Sequence, residues 1–299
     1  FIDAWRKRFP IALLQWEDLS KSTAFDALAR YREKVPSFND DIQGTGAMAL
    51  AGLLAATEQG KTLKEQVFLV SGAGAGGIGV AQQVRNGLVR LGMSAADAHK
   101  RIFVLDSRGL ILNDREGLED YKKEFAHQRS DLAEWEFASK NPNLLETIFN
   151  AKVTVLLGLS GQGASFDQKI IEAVMKNTKK PIVFALSNPT NLTEIMPEDA
   201  IAWTDGQVWM ATGSPFPAVT WKGKQHIIGQ GNNTFVFPGI GWGVAASGAR
   251  TVEAEMMTDA SFALASQVTP ERLASGAVFP PIADLMKVTD HVARAVAES

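Results

Sequence analysis

Cysteine is absent from this chain of 299 residues, which excludes disulfides and thiolate metal sites outright. Tyrosine is nearly absent, with Tyr31 and Tyr121 the two in the chain. The four histidines, His99, His127, His226 and His291, are scattered, and none has a partner in a catalytic pattern. There is no excess of positive charge. Lys plus Arg is 30 against 33 for Asp plus Glu, a formal net charge of −3, which argues against nucleic acid as a partner. Long apolar runs are also missing. The longest small-apolar stretch, 47–56, is about half of the ~20 residues that a membrane span needs. No signal peptide is visible at the start. Neither membrane nor secretion is indicated, and the cytoplasm is the expected location. What remains is ordinary globular composition, 45% hydrophobic and 21% charged, with length for one large domain or two. The chain opens on Phe1-Ile2-Asp3-Ala4-Trp5-Arg6-Lys7-Arg8-Phe9, an amphipathic helical pattern already under way and without an initial Met. The expectation is a piece of a longer protein. On that reading, 1–41 is the remnant of a preceding part and 42–299 a nucleotide-binding domain with C-terminal helices.

Hydrophobic patterning sets the fold class. The helix at 1–9 stops at Pro10, and 11–16 is a short buried strand ending in Glu17-Asp18. A helix is expected over 21–34, and Asp40-Asp41 opens another over 42–58. Short apolar strands follow at 66–70, 101–106, 152–157, 181–186 and 208–212, with helices at 80–91 and 167–177 between them. Such alternation predicts an α/β fold, a Rossmann-type doubly wound parallel sheet with helices on both faces. Beyond Gly223 the chain changes character, with a loop at 227–233 and amphipathic helices at 257–267 and 283–298.

Ser71-Gly72-Ala73-Gly74-Ala75-Gly76-Gly77 lies between a strand and a helix and fits the G-x-G-x-x-G fingerprint. The first glycine allows the tight turn. The second lets a pyrophosphate approach the backbone, and the helix N-terminus supplies N–H donors. Asp106 ends the next strand, where an acid reaches an adenosine ribose, although it lies farther on than the usual ~20 residues. Ser107, Arg108 and Lys122 beside it would suit a 2′-phosphate, which tips the reading towards NADP over NAD; the alternative is a solvated surface cluster. Thr45 and Gly158 complete the expected cofactor set with Gly72, Gly74, Ala75, Gly76 and Gly77.

Two acid pairs, Glu17-Asp18 and Asp40-Asp41, each follow the end of an apolar segment. Taken singly they read as helix caps. Together, Glu17, Asp18 and Asp41 make a three-carboxylate set suited to octahedral Mg²⁺ or Mn²⁺ rather than Zn²⁺. Asn188, Asn232 and Asn233 lie in loops after apolar segments, where carboxamides can orient a substrate carboxylate or a nicotinamide; they are also good turn residues.

These elements, in this order, resemble the malic enzymes. The resemblance is carried by Leu14-Gln15-Trp16-Glu17-Asp18, Phe38-Asn39-Asp40-Asp41-Ile42-Gln43-Gly44-Thr45, Gly72-Ala73-Gly74, Leu186-Ser187-Asn188-Pro189-Thr190, Gly213-Ser214-Pro215-Phe216 and Gly229-Gln230-Gly231-Asn232-Asn233. It implies oxidative decarboxylation of L-malate to pyruvate with NAD(P) and Mg²⁺ or Mn²⁺. It implies Glu17, Asp18 and Asp41 as metal ligands, and Asp40 as the acid supporting a catalytic lysine. It further implies that Asn188 and Asn233, with Asn232, hold malate and the nicotinamide end. The family's catalytic tyrosine and lysine precede everything in this chain, and neither Tyr31 nor Tyr121 matches their motif. The chain alone is therefore expected to bind cofactor but turn over little, and the whole protein to be a dimer or tetramer. Two other readings stay open: a malolactic enzyme, which makes lactate with the cofactor retained, and a non-catalytic NAD(P)-sensing module.

Overall fold

The structure, a computed structural model, describes every residue except Gln59. Two small parallel strands open the fold: β1 (Leu14–Trp16) pairs with β2 (Ser37–Asn39), joined by the helix Lys21–Tyr31. The main sheet has seven strands. They are β3 (Phe68–Ser71), β4 (Ile102–Asp106), β5 (Gly109–Leu110), β6 (Val155–Gly158), β7 (Ile182–Ala185), β8 (Trp209–Thr212) and, after the hairpin β9 (Val219–Trp221) and β10 (Lys224–His226), β11 (Gly229–Gln230). Their order across the sheet is β11-β8-β7-β6-β3-β4-β5. All pairings are parallel except β4 with β5, so the sheet carries one antiparallel edge that the sequence pattern did not announce.

Burial explains why the strands read as unbroken apolar runs. β6 and β7 are buried at every position, as a parallel sheet covered on both faces requires. Successive residues of the central strands enter different cores. Phe68, Val70, Val104, Leu157 and Phe184 join one core with the helices Thr45–Ala56, Ala75–Arg90, Ala254–Ser266 and Leu285–Glu298. Leu69, Phe103, Leu156 and Val183 join the other, with Leu144–Ala151, Gln168–Met175 and Pro197–Trp203. The period-2 alternation of side chains is thus what puts helices on both faces.

The helix Thr45–Ala56 has no polar stripe because it has no solvent face: every residue from Gly46 to Ala56 is buried. It crosses the helix Ala75–Arg90 in backbone contact. A Cβ on Gly79 would lie 2.0 Å from the Ile42 carbonyl oxygen, and one on Gly46 would lie 2.5 Å from the Gly79 oxygen. Among the described residues, no helix is long and apolar enough to cross a membrane.

Candidate active site

β1 and β2 run parallel, with Trp16 opposite Asn39, so the residues that follow them, Glu17-Asp18 and Asp40-Asp41, leave the pair at the same end. The expected convergence of the two acid pairs therefore has a simple cause, one register of one parallel ladder. Asp40 does not begin an ordinary helix. The Thr45 N–H reaches the Asp40 carbonyl, a π-helical turn over Asp40–Gly44 that precedes the α-helix. Asn39 caps this turn: its Oδ1 accepts from the Ile42 N–H at 2.9 Å, and its own N–H donates to Gln43 Oε1 at 3.0 Å.

Asp40 is only 2% exposed. Burial first of all pushes its carboxyl up to about 6; the Asn233 amide pulls it down, and Glu17 and Asp41 push it further up. Its Oδ2 accepts from Asn233 Nδ2 at 2.9 Å, while its buried Oδ1 has no partner. Asn233 Nδ2 also lies 3.0 Å from Thr45 Oγ1, so the loop after β11 is tied to the acid ledge. Asp41 Oδ2 accepts from the Asp18 N–H at 3.0 Å. Burial raises the Asp41 carboxyl, the Asp18 N–H opposes this, and the charges of Asp18 and Glu17 add to the rise.

Hard carboxylate oxygens crowded until they raise one another's proton affinity are the donor chemistry of a divalent cation. The expected three ligands are nevertheless not drawn into one shell: among the described residues, no three of His, Asp or Glu are placed to hold an ion. The reason is local. Glu17 Oε2 is held by Gln15 Nε2 at 2.9 Å and Asp41 by the Asp18 N–H, and like charges stand apart.

The glycine turn abuts this ledge. Gly72 has φ of 116°, and a Cβ there would lie 2.3 Å from the Leu159 carbonyl oxygen, so the turn and the loop after β6 touch backbone to backbone. A Cβ on Gly76 would lie 3.5 Å from Thr45 Cγ2 and 3.6 Å from the Asp41 carbonyl oxygen. The helix Ala75–Arg90 starts within the glycines, earlier than its apolar pattern indicates, and its first turn, uncapped by any side chain, stands at the groove that an open α/β sheet has beyond the carboxyl ends of its strands. Lys21, unremarked in the sequence, stands over this turn, its Nζ 4.0 Å from a Cβ built on Gly74. No sequence signal singles it out, since it opens a helix on a different sheet.

On the β4 side, Asp106 is clasped by Arg115, whose Nη2 lies 2.7 Å from both carboxylate oxygens. Burial pushes the Asp106 carboxyl up, but Arg115, the Arg108 N–H and Lys122 together hold it below its ordinary value. Lys122 is 7% exposed, and its ammonium is shared between Asp106 at 3.2 Å and Glu119 at 2.9 Å. Burial works against that charge, yet the two carboxylates raise its pKa. The expected free ammonium is thus already paired. Arg108 turns its guanidinium to the Glu116 carbonyl at 3.2 Å, and Ser107 is exposed. Arg115 was missed because the antiparallel return of β5, which carries it back to Asp106, has no signature in a two-residue strand.

Asn188 is exposed after β7, at a cis Asn188–Pro189 bond, and Asn232 Oδ1 caps the Thr234 N–H at 2.9 Å. Beside Asn188 and the loop that meets the glycine turn lies an acid that the sequence pattern did not single out. Glu194 is 0% exposed, and its carboxylate accepts from the Ser160 N–H at 3.0 Å and Oγ at 3.1 Å, and from the Ser187 hydroxyl. A Cβ on Gly158 would lie 2.5 Å from its carboxyl carbon.

Residues 42–299 match the family described as "Malic enzyme, NAD binding domain". The chain is 42% identical over 299 residues to an NAD-dependent malic enzyme of Proteus mirabilis, covering 100% of this chain and 53% of that protein. It is 40% identical over 295 residues to an NAD-dependent malic enzyme of Acinetobacter baylyi, covering 98% of this chain and 52% of that protein. The chain thus spans about half the length of these curated relatives. Among solved structures it resembles an Entamoeba histolytica malic enzyme in fold, with TM-score 0.77, 24% identity, and 99% and 56% of the two chains covered. A malic enzyme from Pyrococcus horikoshii is similar at TM-score 0.70 and 27% identity, with 99% and 63% covered.

Proposed function

The chain belongs to the malic enzyme family, and from that premise we propose that it carries the cofactor and metal half of an enzyme that oxidatively decarboxylates L-malate to pyruvate and CO₂. One observation supports this most directly: the acid ledge and the glycine turn share a wall, with Asp41 and Thr45 against Gly76. A 2-hydroxy acid held on that ledge would stand next to a dinucleotide held on that turn. Asn233, bonded to both Asp40 and Thr45, ties the loop after β11 to the ledge at that wall.

In this reading Glu17, Asp18 and Asp41 would hold Mg²⁺ or Mn²⁺, and the turn at Gly72–Gly77 would hold NAD. When bound, the dinucleotide supplies the hydride acceptor and the cation supplies Lewis-acid stabilisation of developing negative charge. The chain's own residues do the rest. The helix Ala75–Arg90 offers N–H donors to the pyrophosphate, and Lys21 sets a positive charge beside it. Asp40, with a pKa of about 6, can hold or pass a proton near neutrality at its free Oδ1. Asn188, exposed after β7, would present its amide to substrate or nicotinamide without adding charge, while Asn233, its Nδ2 engaged by Asp40 and Thr45, would do so only through its amide oxygen. NAD is preferred over NADP in this reading, because Lys122 and Arg115 are both spent on Asp106 and neither is left for a 2′-phosphate. A dimer or tetramer of the whole protein belongs to the same reading.

The test is a malate assay on the protein as encoded, with Mn²⁺ and with NAD and NADP in parallel, identifying the product. Pyruvate with accumulating NADH is the expected result; lactate without net reduction would overturn it. The 299-residue chain alone should bind NADH yet turn over malate about a hundredfold or more slowly, since a general acid–base pair is worth that much.

A further inference from the structure

Glu194 has no part in the chemistry above, yet it is the most completely enclosed acid beside the groove. A buried carboxylate is costly unless hydrogen bonds repay its lost hydration. Here the donors come from two different loops. Ser160, in the loop after β6, gives its N–H and hydroxyl; Ser187, in the loop after β7, gives its hydroxyl, and its N–H lies 3.4 Å away. The Ser187 oxygen in turn accepts from the Gly161 N–H at 2.9 Å. The segment around Glu194 is also pinned by its backbone, with the Phe166 N–H on the Glu194 carbonyl at 2.9 Å and the Ala164 N–H on that of Thr193 at 3.0 Å. One side chain therefore fixes the spacing of both loops, and Gly158 leaves the room for it.

Those loops have a definite place in the groove. In an open α/β sheet a dinucleotide lies across the carboxyl ends of the strands, at the point where strand order reverses. Here that point is β3, with β4 on one side and β6 and β7 on the other. In the dinucleotide reading Asp106 marks β4 as the adenosine side, so the nicotinamide half would lie over the loops that Glu194 joins. One end of the linkage touches Gly72 through Leu159 and Ser160. The other end is Ser187, next to Asn188.

We infer that Glu194 is a positioning residue: it sets the seat of the nicotinamide ring by holding Ser160 and Ser187 at a fixed separation, without itself touching cofactor or substrate. This rests on the dinucleotide reading above, and the test separates the two. The protein as encoded is titrated with NADH and with ADP-ribose, which lacks the nicotinamide ring. Glu194→Gln keeps the volume but removes the charge and sets an amide donor among N–H and hydroxyl donors. It should weaken NADH about tenfold, the scale of one charge-assisted hydrogen bond, and ADP-ribose less than about twofold. The fluorescence change of bound NADH, which reports the ring's surroundings, should shrink in the variant. Ser187→Ala should show the same pattern more weakly, and the double variant should lose less than the product of the single losses. Ser187→Ala decides the matter by itself if Glu194→Gln does not fold. Equal losses for both ligands, or no loss for either, would mean that Glu194 only supports the fold, and would overturn the inference alone. Wild-type protein that binds neither ligand would overturn the dinucleotide reading and this inference with it.

Discussion

Asp106 shows how a single side chain can change the meaning of its neighbours. From the sequence, an acid followed by Ser107, Arg108 and a later lysine reads as a phosphate-friendly ribose site. In the structure Arg115 and Lys122 neutralise the acid, with side chains 3% and 9% exposed. Removing the carboxylate would leave the largely buried Arg115 without its carboxylate partner and Lys122 with Glu119 alone, an arrangement that a 2′-phosphate can satisfy. Asp106→Asn should therefore shift the NADP-to-NAD affinity ratio towards NADP by about tenfold, even at some loss of stability. Binding titrations with the two cofactors check this. An unchanged ratio would mean that Arg115 and Lys122 do not face the ribose.

Among the elements, the crossing of the helices Thr45–Ala56 and Ala75–Arg90 does most to place the site. Each begins at the groove, one just after the acid ledge and the other within the glycine turn, and they touch through Gly46 and Gly79 with no side chain between. Gly79→Ala would drive a methyl against the Ile42 carbonyl, at the root of the π-helical turn that carries Asp40 and Asp41. It should cost about 1–3 kcal/mol, the scale of overpacking, and should weaken cofactor binding as well. Gly87→Ala, whose methyl would meet the flexible end of Leu50 instead of backbone, should cost less and leave binding intact. Thermal denaturation and NADH titration of the two variants test that ordering; equal effects would show that the crossing does not set the site.

Across the whole molecule, the stability of the fold should depend on pH through a group far from the chemistry. His127 is 4% exposed, stacks on Phe103 with ring centroids 4.5 Å apart, and has Nε2 2.9 Å from the Ile102 carbonyl. Burial lowers its pKa to about 4, against the Ile102 carbonyl and with help from His99. The unfolded chain takes up a proton near pH 6.5 that the folded chain refuses until about pH 4, so stability rises with pH in that window and falls as acid is added. Between pH 7 and 4.5 this one group should cost about 2–3 kcal/mol. His127→Gln, which cannot charge, should remove that part of the acid sensitivity in urea denaturation. Equal pH dependence in both proteins would mean that the ring is already solvated.

Much of this was legible in the sequence because it depends on local pattern. Apolar runs such as 181–186 mark strands buried on two faces, and a strand, glycines and a helix in succession can fold in few other ways. The two acid pairs were visible too, each at the end of an apolar run. Which groups pair with which was not visible, because pairing depends on contacts between distant residues. Glu194 meets Ser160 across 34 residues, and Asn233 meets Asp40 across 193. Arg115 reaches Asp106 through a two-residue strand too short for periodicity to reveal. The chain by itself determined the sheet, the turn and the family. The tertiary structure decided which charges are already spent and which remain free, because burial and hydrogen bonding, not residue type, decide whether a charged side chain is available to a ligand.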